Sequence, residues 1–246
     1  MAWEWDAAAY GRLRLPHELW GQRTLARLAL TGSETVLDAG CGTGRDTAAL
    51  LEALPRGRVI AVDASASMLD QLRARLPDTE RLTILAADLL DPLPIAEPVD
   101  AVLSVAVLHW IADHQRVFDN LAAILRPGGR LSVDCGGHGN IASVQAALAA
   151  VLGEVPQVWN FAAPAETERR LAAAGFVDIE ARLRAETAQF DGPAALHDYL
   201  ETVVLGAHLV RLGADERAAF VRAVAERLPR PAIDYVRLEV HARRAA

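Results

Sequence analysis

Lysine is absent from this 246-residue chain, and all 25 of its basic side chains are arginine. Without an amine side chain the protein cannot form a Schiff base, attach pyridoxal phosphate, or build the lysine-bearing phosphate loops of nucleotide hydrolases and kinases. Cysteine is nearly as scarce. Cys41 and Cys135 are the whole complement, too few for a disulfide framework or a thiol-built zinc site. His109 and His114 lie five positions apart with no acidic cluster beside them, so no metal site is assigned. The net charge of −7 speaks against a nucleic-acid partner, which calls for a basic face. Apolar runs fall short of a bilayer span, and the opening Met1-Ala2-Trp3-Glu4-Trp5-Asp6 lacks the basic-then-apolar layout of a secretory signal. The expectation is a protein with no membrane partner and a cytoplasmic location.

What is present describes an ordinary globular chain: 52% hydrophobic residues and 23% charged. Short β-rich runs alternate with helical periodicity, the pattern of an α/β, doubly wound, mostly parallel sheet. Strands are expected at Thr35–Asp38, Arg58–Asp63, Leu82–Ala86, Val99–Val107, Arg130–Asp134, Phe176–Leu183 and Tyr235–His241, making a seven-stranded sheet. Helices are expected at about 45–54, 67–76, 113–125, 141–152 and 166–174, with a wholly helical stretch from Pro193 to Leu228. Asp113 is a candidate N-cap, and Arg126-Pro127-Gly128-Gly129 reads as a stop and turn ahead of the fifth strand. No repeat or linker divides the chain, so residues 1–246 read as one domain with a helical insertion at 190–230 before the last strand.

The informative segment is Val36-Leu37-Asp38-Ala39-Gly40-Cys41-Gly42-Thr43-Gly44, where a strand passes into a helix. Alternate glycines let the backbone turn sharply and let a ligand lie against the main chain. A dinucleotide fingerprint would place glycine at 45, where Arg45 stands. Asp63 ends the next strand and Asp88 follows the third, so three acidic residues, Asp38, Asp63 and Asp88, converge on one crevice at the strand ends.

This constellation resembles the class I S-adenosylmethionine-dependent methyltransferases, whose first motif is an acidic residue followed by G-x-G-x-G. The resemblance implies S-adenosylmethionine as cofactor, with Gly40, Cys41, Gly42 and Gly44 in the turn against it. It further implies Asp63 at the ribose, Asp88 at the adenine amino group, Met68 on the adenine face, the Ser104 backbone near the methionine end, and Ala64 and Leu89 also at the cofactor. Trp5-Asp6 with Tyr10, Leu108-His109-Trp110 after the fourth strand, and the insertion before an Arg-Leu-containing last strand are similar to the trans-aconitate methyltransferase family. In that family an N-terminal segment, here residues 1–30, folds over the cofactor, which implies Tyr10 and Arg23 near the methionine moiety.

Methyl transfer from a sulfonium is an in-line displacement, for which alignment and exclusion of water matter most. A base is needed only where the nucleophile carries a proton, and a carboxylate at neutral pH carries none. His109 and Trp110 are the candidate catalytic pair, His109 as base or as positioning group and Trp110 as wall or indole donor. His138 is a second pocket candidate. Trp159, Phe161 and the 190–230 helices are expected to cover the acceptor pocket, where His208, Arg211 and Arg237 are candidate anchors for a carboxylate. The expected partner is a small-molecule methyl acceptor, with a carboxylate or other oxygen as nucleophile. Methylation of nitrogen or carbon in a natural product, a non-catalytic binding module, and a nicotinamide oxidoreductase stay open as alternatives, as does oligomeric state.

Overall fold

A computed structural model describes Ala7 and residues 17–76, 79–210 and 212–246. The strands are β1 (Thr35–Ala39), β2 (Arg58–Asp63), β3 (Leu82–Ala86), β4 (Val99–Val105), β5 (Leu125–Gly136), β6 (Phe176–Gln189) and β7 (Ala232–Arg244). They form one sheet in the order β3-β2-β1-β4-β5-β7-β6. β1 to β5 run parallel, while β7 is antiparallel to both β5 and β6. The chain winds outward from β1 in one direction and from β4 in the other, as expected of a doubly wound sheet.

Each central strand feeds two cores. Val36 of β1 packs with Ala101, Leu103 and Trp20 on one face, whereas the adjacent Leu37 packs with Val102, Phe118 and Val133 on the other. Alternating side chains of a strand point to opposite faces, so apolar residues at consecutive positions require helices on both sides. The first face is covered by α1 (His17–Arg27), α2 (Arg45–Ala53) and α5 (Ala142–Leu152). The second is covered by α4 (His114–Ile124) and α6 (Pro164–Ala173), with α3 (Ala66–Arg75) crossing between β2 and β3. Local chemistry starts these helices where expected. The Asp113 carboxylate accepts from the Arg116 amide at 3.0 Å and Ser65 Oγ from the Met68 amide at 3.3 Å.

Several boundaries differ from the periodicity. β4 stops at Val105 because Ala106 turns to a φ of +60° and gives its amide to the Asp134 carbonyl at 2.7 Å. The Arg126–Gly129 segment is a bulge and not a turn preceding β5, since pairing with β4 jumps from Val99–Leu125 to Ala101–Arg130. β6 and β7 are longer than their apolar alternation suggested and form an extended antiparallel pair, with β6 at the sheet edge. The stretch from Pro193 is not one helix. It breaks into α7 (Pro193–Tyr199), a π-helical turn (Leu200–Val204), α8 (Gly206–Leu209) and α9 (Ala214–Ala225), with Leu205 donating to the Leu200 carbonyl at 2.7 Å.

The entry to β1 is held by Glu34, which is only 7% exposed. Its carboxylate accepts from the amides of Thr31, Gly32 and Ser33 and from the Arg130 guanidinium at 3.1 Å. Burial acts to raise this carboxyl, but hydrogen bonds from Thr31, the adjacent backbone and Arg130 outweigh it and hold it at about 2. A group depressed from its ordinary 4.5 stabilises the fold fully above 4.5 and loses that contribution as pH falls through about 2. Glu34→Gln is therefore expected to lower unfolding free energy by up to about 3 kcal/mol at pH 7. Urea denaturation of both proteins should show the gap narrowing as pH falls below 4.5.

Candidate active site

The turn after β1 is set by backbone that side chains would obstruct. Gly40 has a φ of +82°, and a Cβ there would lie 2.2 Å from Cγ2 of Val107. Gly40 and Cys41 both donate to the Val62 carbonyl, at 2.8 and 3.0 Å, fastening the turn to the end of β2. Gly42, with a φ of +51°, faces open space: a Cβ there would have no atom within 4 Å. Asp63 binds the turn from the side. Its Oδ2 accepts from the Gly42 amide at 2.8 Å and its Oδ1 from the Ser65 amide at 2.9 Å. Asp88 accepts from the Leu90 amide at 3.0 Å, bending the chain beyond β3.

A cavity of about 390 Å³ opens over these strand ends. At one end it is lined by Gly40, Gly42, Asp63, Ala64, Met68, Asp88 and Leu89, all expected at a cofactor. The other expected positions stand behind or away from it. Asp38 is buried beneath the turn, accepts from the Thr47 hydroxyl at 2.6 Å, and is pushed up to about 8 by burial, with the charge of Asp46 adding to the shift. Gly44 packs on Leu72, and Ser104 Oγ donates to the Ala39 carbonyl at 2.8 Å, so both support the turn from below the cavity. Burial raises the Cys41 thiol well above its usual range, which leaves it an inert filler. Arg23 does not line the cavity; its side chain pairs with Glu186 of β6 at 2.7 Å, while α1 itself packs against β4 and β5. Tyr10 lies outside the described residues.

The opposite end is aromatic. His109 and Trp110 line it from a 3₁₀ turn (Leu108–Trp110), joined by Trp159, Phe161, Val203 and Val204. Trp159 stacks on Phe161 at 5.8 Å between centroids, and Phe161 stacks on His109 at 6.0 Å. The turn is pinned from two sides. His114 meets the Leu108 carbonyl at 2.8 Å, and the Asn160 side chain donates to the carbonyls of Ile111 and Ala112 at 3.2 and 2.8 Å. The Gly136 amide donates to Nδ1 of His109 at 3.2 Å. A backbone N–H can only donate, so in the neutral ring the proton sits on Nε2. His109 is therefore arranged as a donor.

Of the three candidate carboxylate anchors, Arg237 reaches the cavity. His208 packs against Trp159 at 5.1 Å outside the lining, and Arg211 lies outside the described residues. His138 is exposed on the loop after β5, away from the cavity. Val203, Val204 and Tyr235, buried in the first core, also line the cavity. Ala106 and Ile141 also line it, at φ values of +60° and +48°. Positive φ at a non-glycine residue marks local strain of the kind found at binding sites, and no composition signal announces it.

A methyltransferase-domain family profile matches residues 37–131, the span that carries the glycine turn, both aspartates and β4. Trans-aconitate 2-methyltransferase of Methylobacterium radiotolerans is 32% identical over 232 residues, covering 89% of this chain and 87% of that protein. The enzyme of the same name from Azoarcus sp. is 40% identical over 129 residues, 52% of this chain. Against that relative the chain spans about half the length, 49%. Among solved structures, the fold matches a methyltransferase from Bacillus halodurans at a TM-score of 0.64 and 16% identity, over 92% of this chain and 99% of the other. It also matches phosphoethanolamine N-methyltransferase 2 of Haemonchus contortus at a TM-score of 0.65 and 17% identity, over 93% of this chain and 53% of the other. Fold and motif thus define a class of methyltransferase domains. Within that class, the chain belongs to the trans-aconitate 2-methyltransferase family.

The two cavity glycines should separate in their effects. Gly40→Ala meets the Val107 side chain and should lose about 3 kcal/mol of stability, from strain and overpacking together. Gly42→Ala meets nothing and should lose only about 1 kcal/mol, the strain of a left-handed alanine. Denaturant midpoints of the two variants measured side by side check this ordering.

Proposed function

We propose that the chain binds S-adenosylmethionine between the glycine turn and Asp88 and methylates the carboxylate of a small molecule held at the aromatic end of the cavity. The observation that carries the reading is the junction of Gly42 and Asp63. The bare face of Gly42 makes a cradle that a Cβ would fill, and the carboxylate beside it is part-buried at the cavity wall. A carboxylate offers about four lone-pair positions, so Asp63 can hold the Gly42 and Ser65 amides and still accept from ribose hydroxyls. Met68 and Leu89 supply apolar surface suited to a purine, and Asp88 an acceptor for its amino group.

S-adenosylmethionine, when bound, supplies a methyl group on a positively charged sulfur. The chain's own part is to bind, align and keep water out. The rings of Trp110, Trp159 and Phe161 form the dry wall, and the π-helical turn with Val203 and Val204 closes the side opposite the sheet. We assign residues 190–230 as a lid on this basis; none of the described residues of the 1–30 segment lines the cavity. His109 directs its Nε2 hydrogen as a positioning donor to an acceptor oxygen, since its Nδ1 is committed to Gly136. An ionised carboxylate needs no base, which agrees with an imidazole arranged to donate.

Isothermal calorimetry with S-adenosylmethionine, followed by methyl transfer to a panel of carboxylates, tests the reading. Binding of NAD without S-adenosylmethionine would overturn it. Asp63→Ala should weaken cofactor binding by about 1 to 3 kcal/mol, the size of a lost charge-assisted acceptor. His109→Ala should raise the acceptor KM while leaving the shape of the kcat–pH profile unchanged. Appearance or loss of a limb in that profile would restore His109 as a base.

A further inference from the structure

We infer that Asn140 binds the methyl acceptor, its side-chain N–H groups donating to an acceptor oxygen beside His109. This rests on the methyl-transfer reading and deepens it, because it names a group that holds the acceptor's oxygen.

Asn140 is 3% exposed and lines the cavity. The backbone fixes which way its carboxamide points. The Val236 N–H donates to Oδ1 at 2.8 Å, and since a backbone N–H can only donate, the atom it meets is the oxygen and not the nitrogen. The main chain of the residue is held as well. Its amide donates to the Gly137 carbonyl at 2.9 Å, and its carbonyl accepts from the Gln145 side chain at 2.8 Å. Nδ2 keeps two donors and makes no hydrogen bond among the described residues. A ligand that fills the cavity displaces water from this nitrogen and must accept from it in return. The glycine-rich loop after β5 thus serves the cavity through Asn140, while His138 of the same loop stays exposed.

Gly136 sets the place of this donor. A Cβ there would lie 2.6 Å from Nδ2 of Asn140 and 2.7 Å from Cε1 of Phe161, so the bare α-carbon admits both side chains. The same glycine gives its amide to Nδ1 of His109 at 3.2 Å and pairs with Arg237 across β5 and β7. Asn140, His109 and Arg237 are therefore gathered about one residue, and all three line the cavity. Each presents N–H groups there. A carboxylate has lone pairs for such donors and others to attack the methyl group. A neutral amine has a single lone pair, which the attack itself requires.

The test is calorimetry on protein loaded with S-adenosylhomocysteine, which prevents turnover. Trans-aconitate, phenylacetate and 4-methylpentanoate are the titrants, and the acid that binds wild type most tightly is carried into the variants. Asn140→Asp keeps an oxygen for the Val236 amide but replaces the donor. Its melting temperature should stay within about 3 °C and its S-adenosylhomocysteine affinity within about twofold of wild type, while the acid binds at least tenfold more weakly. Asn140→Ala removes the donor without adding charge and should weaken the acid at least fivefold, again with S-adenosylhomocysteine affinity kept. If the alanine variant does not fold, the uncharged methyl ester of the acid serves with Asn140→Asp and should bind at least threefold more weakly, which charge repulsion alone would not cause. A purely structural Asn140 would leave the aspartate variant binding as wild type and would make the alanine variant lose both ligands together. Either of those results, or acid binding within twofold of wild type in Asn140→Ala, would overturn the inference. Failure of wild type to bind S-adenosylhomocysteine or any of the acids would instead overturn the methyl-transfer reading on which it rests.

Discussion

The parallel pairing of β1 with β4 is the constraint on which the molecule depends. Connections leave β1 toward β2 and β4 toward β5, so the helices that follow them cross opposite faces of the sheet. Between the two departures neither crossover helix covers the carboxyl ends of the strands, and a crevice is left there for a ligand. The glycine turn, Asp63, the Ala106 bend and the His109 turn all stand on its rim, each because its strand ends at that level. Apolar residues at successive positions in β1 and β4 make the arrangement obligatory, since both faces need cover.

Much of this was legible from residue order. The strand–glycine–helix junction, the aspartates at the ends of β2 and β3, and the continuous apolar run of β4 are local signals with local causes, and the structure places them as read. The exact end of β4 was not legible. Ala106 bends because its amide is drawn to the Asp134 carbonyl on the neighbouring strand, a partner that lies 28 positions away and leaves no trace in the alternation. The Arg126–Gly129 segment carried true turn chemistry, yet the parallel ladder resumed beyond it and made it a bulge.

The acceptor end was least legible for the same reason. Val203 and Val204 have helical spacing whether they face core or cavity, and only the wider π-helical turn brings them to the lining. Arg23 and Arg237 are equally arginines in apolar surroundings by sequence. Their fates diverge because Glu186 is present to capture the first and Asp134 the second. Which arginine reaches a pocket is decided by the acidic residues of strands that pair only after folding.

The antiparallel entry of β7 pairs Arg237 with Gly136, the last residue of β5, at the rim where β1 to β4 finish. Consequently the two recognition tasks occupy separate stretches of the gene. The lining of the glycine end is written between Gly40 and Leu89, and that of the aromatic end between Ala106 and Arg237. Substitutions in the later segments can therefore reshape the aromatic end of the cavity while the glycine end is left unchanged.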